Sequence, residues 1–118
     1  MDKDEAFKFI NSLKEGDFLV VEKQEHEPGF ITQTKTMIIC YGGHFVKDGF
    51  GEGWHSACAK FMVNMGGNFR VGIRFGIEIP RNDLRKPTPA EMFKLIDEVR
   101  KAGCVYNKKT KQLIKIKL

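Results

Sequence analysis

Long apolar runs are missing from this chain. No stretch reaches the roughly 18 consecutive apolar residues of a membrane-spanning helix, so none is expected. The first residues, Met1-Asp-Lys-Asp-Glu5, are polar and acidic with no apolar segment behind them, so no secretory leader is expected either. Cysteine is scarce and odd in number. Cys40, Cys58 and Cys104 lie far apart among apolar or small neighbours, which argues against a disulfide framework and for buried, reduced thiols in a cytoplasmic protein. The glycine segment Gly49-Phe-Gly-Glu-Gly53 lacks the Lys-Ser/Thr pair and the strand–loop–helix setting of a phosphate-binding loop, so a connection between strands is the favoured reading. Glu25, Glu27 and Glu52 form no paired arrangement, so no general acid–base pair is assigned.

What remains is an ordinary globular composition. A chain of 118 residues is long enough for one hydrophobic core, and 42% hydrophobic with 30% charged residues suits a soluble domain. We read a single domain over 1–118, with a helix and β-rich body over 1–80 and a helix–hairpin module over 87–118. The net charge of +5 is unevenly placed. Residues 81–118 carry eleven Lys/Arg against four Asp/Glu, whereas residues 1–80 carry nine against eleven. A basic tail on a mildly acidic body is either an electrostatic footprint for a polyanion or a solvated face that blocks edge pairing, and the second is the more common use.

The C-terminal module is the most legible part. Thr88-Pro-Ala-Glu91 has capping-box spacing, with Pro89 at the first helical position. Met92, Leu95, Ile96 and Val99 form one apolar stripe with Phe93 on its flank, and Gly103 is the expected left-handed stop. Asn107 to Lys111 reads as a polar turn, and Ile114, Ile116 and Leu118 alternate with Leu113, Lys115 and Lys117 as in a half-buried strand. At the other end, Asp2 and Glu5 can cap a helix over 2–14 with Ala6, Phe9, Ile10 and Leu13 inward. Between the helices we expect strands over 16–23, 30–41, 57–65 and 69–79. A loop over 24–28, a Gly-Gly turn at Gly66 and a stop at Pro80 separate them, and Arg81 to Lys86 reads as a connector. Phe69, Val71, Ile73, Phe75, Ile77 and Ile79 are expected on one face, with Arg70 and Arg74 on the other. Short connections imply antiparallel pairing. The fold class is therefore α+β: an N-terminal helix, a strongly bent antiparallel sheet or small SH3-like barrel, then a helix plus β-hairpin.

The segment from Arg85 through Ile116 resembles a recurring C-terminal module of small uncharacterised bacterial proteins, often borne by phages or other mobile elements. Thr88, Glu91, Gly103, Asn107, Lys111, Leu113, Lys115 and Ile116 match its pattern, while Val105 and Tyr106 stand where aromatic residues are usual. The resemblance covers about a quarter of the chain and brings no catalytic residues. It implies a cytoplasmic accessory protein without a known activity, and so no enzyme.

Two constellations merit a functional reading. Cys40, His44, His55 and Cys58 are spaced C-x3-H-x10-H-x2-C around the Gly-rich loop, and all four are acceptable zinc ligands. The spacing matches no common zinc finger, and core packing of the thiols is the stronger expectation, so no cofactor is assigned beyond this zinc candidate. A nucleophilic Cys58 with His55 or His44 as base is weaker still. The second constellation interleaves aromatic and basic residues. Phe45, Phe50 and Trp54 would stack on bases, and Arg70, Arg74, Lys108, Lys109 and Lys111 would meet phosphates. The leading expectation is a non-enzymatic binding module for nucleic acid. The alternative is a protein–protein interaction module or homodimer, and no membrane partner is expected.

Overall fold

The computed structural model describes residues 2–25, 33–49, 51–64, 67–79 and 82–116. Phe50, most of the expected 24–28 loop, the start of the 30–41 strand, Gly66, Pro80 and Leu118 lie outside them. Among the described residues no helix is long and apolar enough to cross a membrane.

Local signals set both helices. α1 spans Lys3–Ser12, and the Asp2 carboxylate accepts the Glu5 amide at 2.8 Å. Its inward stripe is carried by Ala6 and Ile10. α2 spans Pro89–Lys101. Thr88 Oγ1 accepts the Glu91 amide at 3.2 Å, and Glu91 Oε1 accepts the Thr88 amide at 2.9 Å, so the expected capping box is formed. Gly103 follows with φ +77°, the left-handed geometry that a side chain resists.

The strands are β1 (Phe18–Glu25), β2 (Gln33–Val46), β3 (Trp54–Asn64), β4 (Phe69–Glu78) and β5 (Asn82–Arg85). They form one antiparallel sheet in the order β4-β3-β2-β1-β5. The sheet is open, with β4 and β5 at its two edges, so the SH3-like closure is not made. β5 corrects the reading of 81–86 as a connector. Its register on β1 sets Leu84 opposite Val21, and Leu84 is buried while its neighbours stay polar. A second small sheet pairs β6 (Cys104–Asn107) with β7 (Gln112–Lys115) and does not extend the first.

Both faces of the large sheet are covered. On one, α1 packs Ala6 and Ile10 against Leu19, Val21, Ile39 and Ile77. On the other, α2 packs Leu95 and Val99 against Val20, Ile38, Phe61 and Val63, with Cys104 and Leu113 of the hairpin alongside. The pleat changes phase within β3 and β4. Ala57 and Ala59 face α1 but so does Met62, whereas Phe61 and Val63 face α2. The β3–β4 register is unbroken across this point, so Lys60 lies opposite Gly72, and β4 shifts there too. Gly72 takes φ +61°. Ile73, Phe75, Ile77 and Ile79 face α1, Phe69 faces α2, and Val71 is left 55% exposed. The expected single apolar face of 69–79 is thus split in two.

The Gly-rich connection between β2 and β3 is strapped down by its own residues. The Asp48 amide donates to His55 Nδ1 at 3.1 Å, and the Gly53 amide donates to Asp48 Oδ1 at 3.3 Å. Gly49 passes so close to the buried Ser56 that a Cβ there would stand 2.2 Å from Ser56 Oγ. Ser56 Oγ has no hydrogen-bond partner among the described residues. Two outcomes follow. Ser56→Ala removes an unpaired buried hydroxyl and leaves stability unchanged or raises it by about 1 kcal/mol. Gly49→Ala lowers stability by about 2 kcal/mol through the clash, and adding Ser56→Ala restores roughly half of that loss. Urea unfolding of the two single variants and the double variant checks both signs.

Candidate interaction surface

α2 and the β6–β7 hairpin lie side by side on the sheet and leave a cleft of about 210 Å³ between them. Its floor is aromatic: the Tyr106 ring centre lies 5.2 Å from Phe61 and 5.3 Å from Phe18, both tilted or edge-on. One wall is α2, through Met92, Ile96 and Arg100, and the other is the hairpin, through Val105 and Lys108. Alternation along the hairpin explains the wall. Tyr106 pairs with Leu113 facing the core, so the Val105–Ile114 pair faces out.

The groups that build this cleft are held firmly. Tyr106 donates its hydroxyl to the Gly16 carbonyl at 3.3 Å and receives the Cys40 thiol at 3.9 Å. Burial pushes both the Tyr106 phenol and the Cys40 thiol above their ordinary values, so both remain protonated near neutrality. Arg85 of β5 fixes the start of α2. It forks onto Glu91 at 2.6 and 2.8 Å and also reaches Glu22 of β1 at 2.7 Å. That guanidinium holds the Glu91 carboxyl down at about 2. Lys111 pins the hairpin turn, donating through Nζ to the Glu15 carbonyl at 3.0 Å, while Lys60 Nζ donates to the Lys111 carbonyl at 2.8 Å.

The aromatic and basic residues expected to form a nucleic-acid surface do not share a face. Phe45 turns inward on the α1 side, 5.8 Å from Phe7 and 5.9 Å from His55. Trp54 is 38% exposed at the first position of β3. Arg70 and Arg74 are both exposed, but the phase change at Gly72 puts them on opposite faces, opposite Met62 and Cys58. Lys108 borders the cleft, Lys109 is exposed on the hairpin turn, and Lys111 is committed to Glu15.

The zinc constellation is likewise dispersed. Cys40 is buried on the α2 face and His55 is buried against Phe7 on the α1 face. His44 is exposed at φ +57°. Cys58 lies opposite Gly43, three residues along β2 from Cys40, or roughly 10 Å at strand rise. Among the described residues no three His, Cys, Asp or Glu side chains come together to hold a metal ion. His55 and Cys58, three apart on one strand, also point to opposite faces, so they make no nucleophile–base pair.

Among the described residues, five exposed large apolar side chains concentrate on the C-terminal module, a surface that the sequence reading above does not contain: Phe93 (74%), Ile96, Val105, Ile114 and Ile116. Their signal was present. Phe93 and Ile96 widen the apolar face of α2 beyond the buried Leu95 and Val99, and Val105 and Ile114 put apolar residues on the outer face of the hairpin. No protein-family model, no curated protein and no solved structure matches the chain.

Proposed function

We propose that the protein is a non-enzymatic protein-interaction module whose working surface is the cleft between α2 and the hairpin. One observation carries the reading. Among the described residues, five large exposed apolar side chains sit on the C-terminal module and two of them, Ile96 and Val105, line its apolar cleft, and clustered exposed apolar surface marks interaction sites where scattered residues do not. A phage or mobile-element setting in the cytoplasm agrees with the resemblance of the 85–116 segment. The nucleic-acid reading has less support, since its arginines lie on opposite faces and Lys111 is engaged.

The test is a selection of random displayed peptides on the immobilised protein, scored against Ile96→Asp/Val105→Asp. The two side chains are 37% and 42% exposed, and circular dichroism and melting are recorded beside the binding so that a loss is scored only on the folded variant. Enriched peptides lose at least about tenfold in affinity on the variant. Peptides that bind both proteins equally, or retention on oligonucleotides that falls steeply with salt without any peptide enrichment, would sink the proposal.

A further inference from the structure

We infer that the partner segment is acidic and carries one large aromatic anchor; this rests on the interaction reading above. Size sets the anchor. A cavity of about 150 Å³ holds a benzene ring, so a cleft of about 210 Å³ takes one aromatic side chain and little more. Its floor of Phe18, Phe61 and Tyr106 rings offers tilted and edge-on contacts to such a ring. Charge sets the flank. Arg100 and Lys108 are the charged residues lining the cleft, one at the last turn of α2 and one at the hairpin turn. Neither makes an ion pair among the described residues. The carboxylates of α2 are turned elsewhere: Asp97 and Glu98 face Lys101 at 3.2 and 3.4 Å, and Glu91 is held by Arg85.

The same accounting argues against a second copy as the occupant. A copy laying its own C-terminal module on the cleft brings apolar side chains, but they arrive among another Arg100 and Lys108 with no free α2 carboxylate beside them. Like charges would then face each other at the rim. An acidic segment neutralises both cations while its anchor displaces water from the aromatic floor.

The probe is a fluorescein-labelled peptide of Glu and Asp around a Leu-x-x-Trp pair, followed by fluorescence anisotropy. Its controls replace the acids by Gln, the acids by Lys, or the Trp by Ser. The acidic peptide binds about tenfold more tightly than the Gln peptide at low salt, and the gap narrows as salt rises. Trp→Ser abolishes binding. Arg100→Glu/Lys108→Glu inverts the preference, so that the Lys peptide now binds better than the acidic one, which a merely structural role for these side chains does not produce. If the Gln peptide matches the acidic one and both lose binding on Ile96→Asp/Val105→Asp, the acidic assignment falls and the interaction cleft stands. If the acidic peptide binds that variant unchanged, or none of the peptides binds below about 1 mM, both fall. Concentration-dependent dimerisation that Ile96→Asp/Val105→Asp abolishes would replace the acidic segment with a second copy.

Discussion

Arg85→Leu is expected to lower the stability of the protein by about 3 kcal/mol, and its melting temperature by about 10 °C. One guanidinium joins three elements: β5, which carries it, β1 through Glu22, and α2 through Glu91. Removing it leaves two carboxylates facing each other without a cation. Glu22, with 30% of its side chain exposed, can recover water, whereas Glu91, with 12%, recovers little. Arg85→Lys restores less than half of the loss, because an ammonium cannot fork onto Glu91 and reach Glu22 together. The same site sets an acid limb. The folded Glu91 carboxyl titrates at about 2 against an ordinary 4.5, chiefly because of its hydrogen bonds to Arg85. A depressed folded pKa contributes stability that is complete above the unfolded value and is lost as pH falls through the folded one. We therefore expect about 2 kcal/mol to disappear between pH 4.5 and 2 in the native sequence, with that limb flattened in Arg85→Leu. Urea midpoints measured across that pH range separate the two proteins. Equal slopes would remove Arg85 from the account.

Arg85 also shows where sequence reading stops. Thr88, Pro89, Glu91 and Gly103 announce α2 because each signal acts within one turn of the chain. β5 carries no such local mark. Asn82-Asp-Leu-Arg85 holds one apolar residue, and its strand character comes from pairing with β1, 59 to 65 positions away. The split of β4 is hidden from the sequence for a related reason. Alternation assumes an unbroken pleat, and the break arises where Gly72 takes φ +61° opposite Lys60. A glycine within a strand marks a place where it can bend, but a bend does not say which way the next side chains turn.

The Gly-rich loop and the cleft differ in legibility for physical reasons of the same kind. The Gly-rich loop stands out in the sequence because its aromatics, histidines and glycines sit close together in the chain. In the fold those features serve local structure: His55 accepts the Asp48 amide, Gly49 gives Ser56 room, and Phe45 packs on Phe7. The cleft was harder to see because its lining comes from β1, β3, α2 and β6, with no motif joining them. Exposure of Ile96 and Val105 depends on how far the hairpin covers α2, which is a property of packing.

Phe61→Ala tests that packing most severely. Phe61 is fully buried at the floor of the cleft, with ring centres 6.1 Å from Phe18, 6.0 Å from Phe69 and 5.2 Å from Tyr106. Loss of the ring costs about 4 kcal/mol, from lost burial and from the void that three neighbouring aromatics cannot close. Phe61→Leu keeps most of the volume and costs about 1.5 kcal/mol, so it reports the same trend if the alanine variant does not fold. The void also has a particular position. It lies directly beneath the cleft, so the two merge into a deeper apolar space. Small apolar molecules that occupy such a space stabilise the folded state by mass action. Benzene is therefore expected to raise the melting temperature of Phe61→Ala by several degrees and that of the native sequence by less. An unchanged melting temperature in the variant would mean that α2 has settled into the vacated volume. In that case the cleft narrows, and Phe61→Ala also loses the aromatic anchor of any peptide that the native sequence binds there.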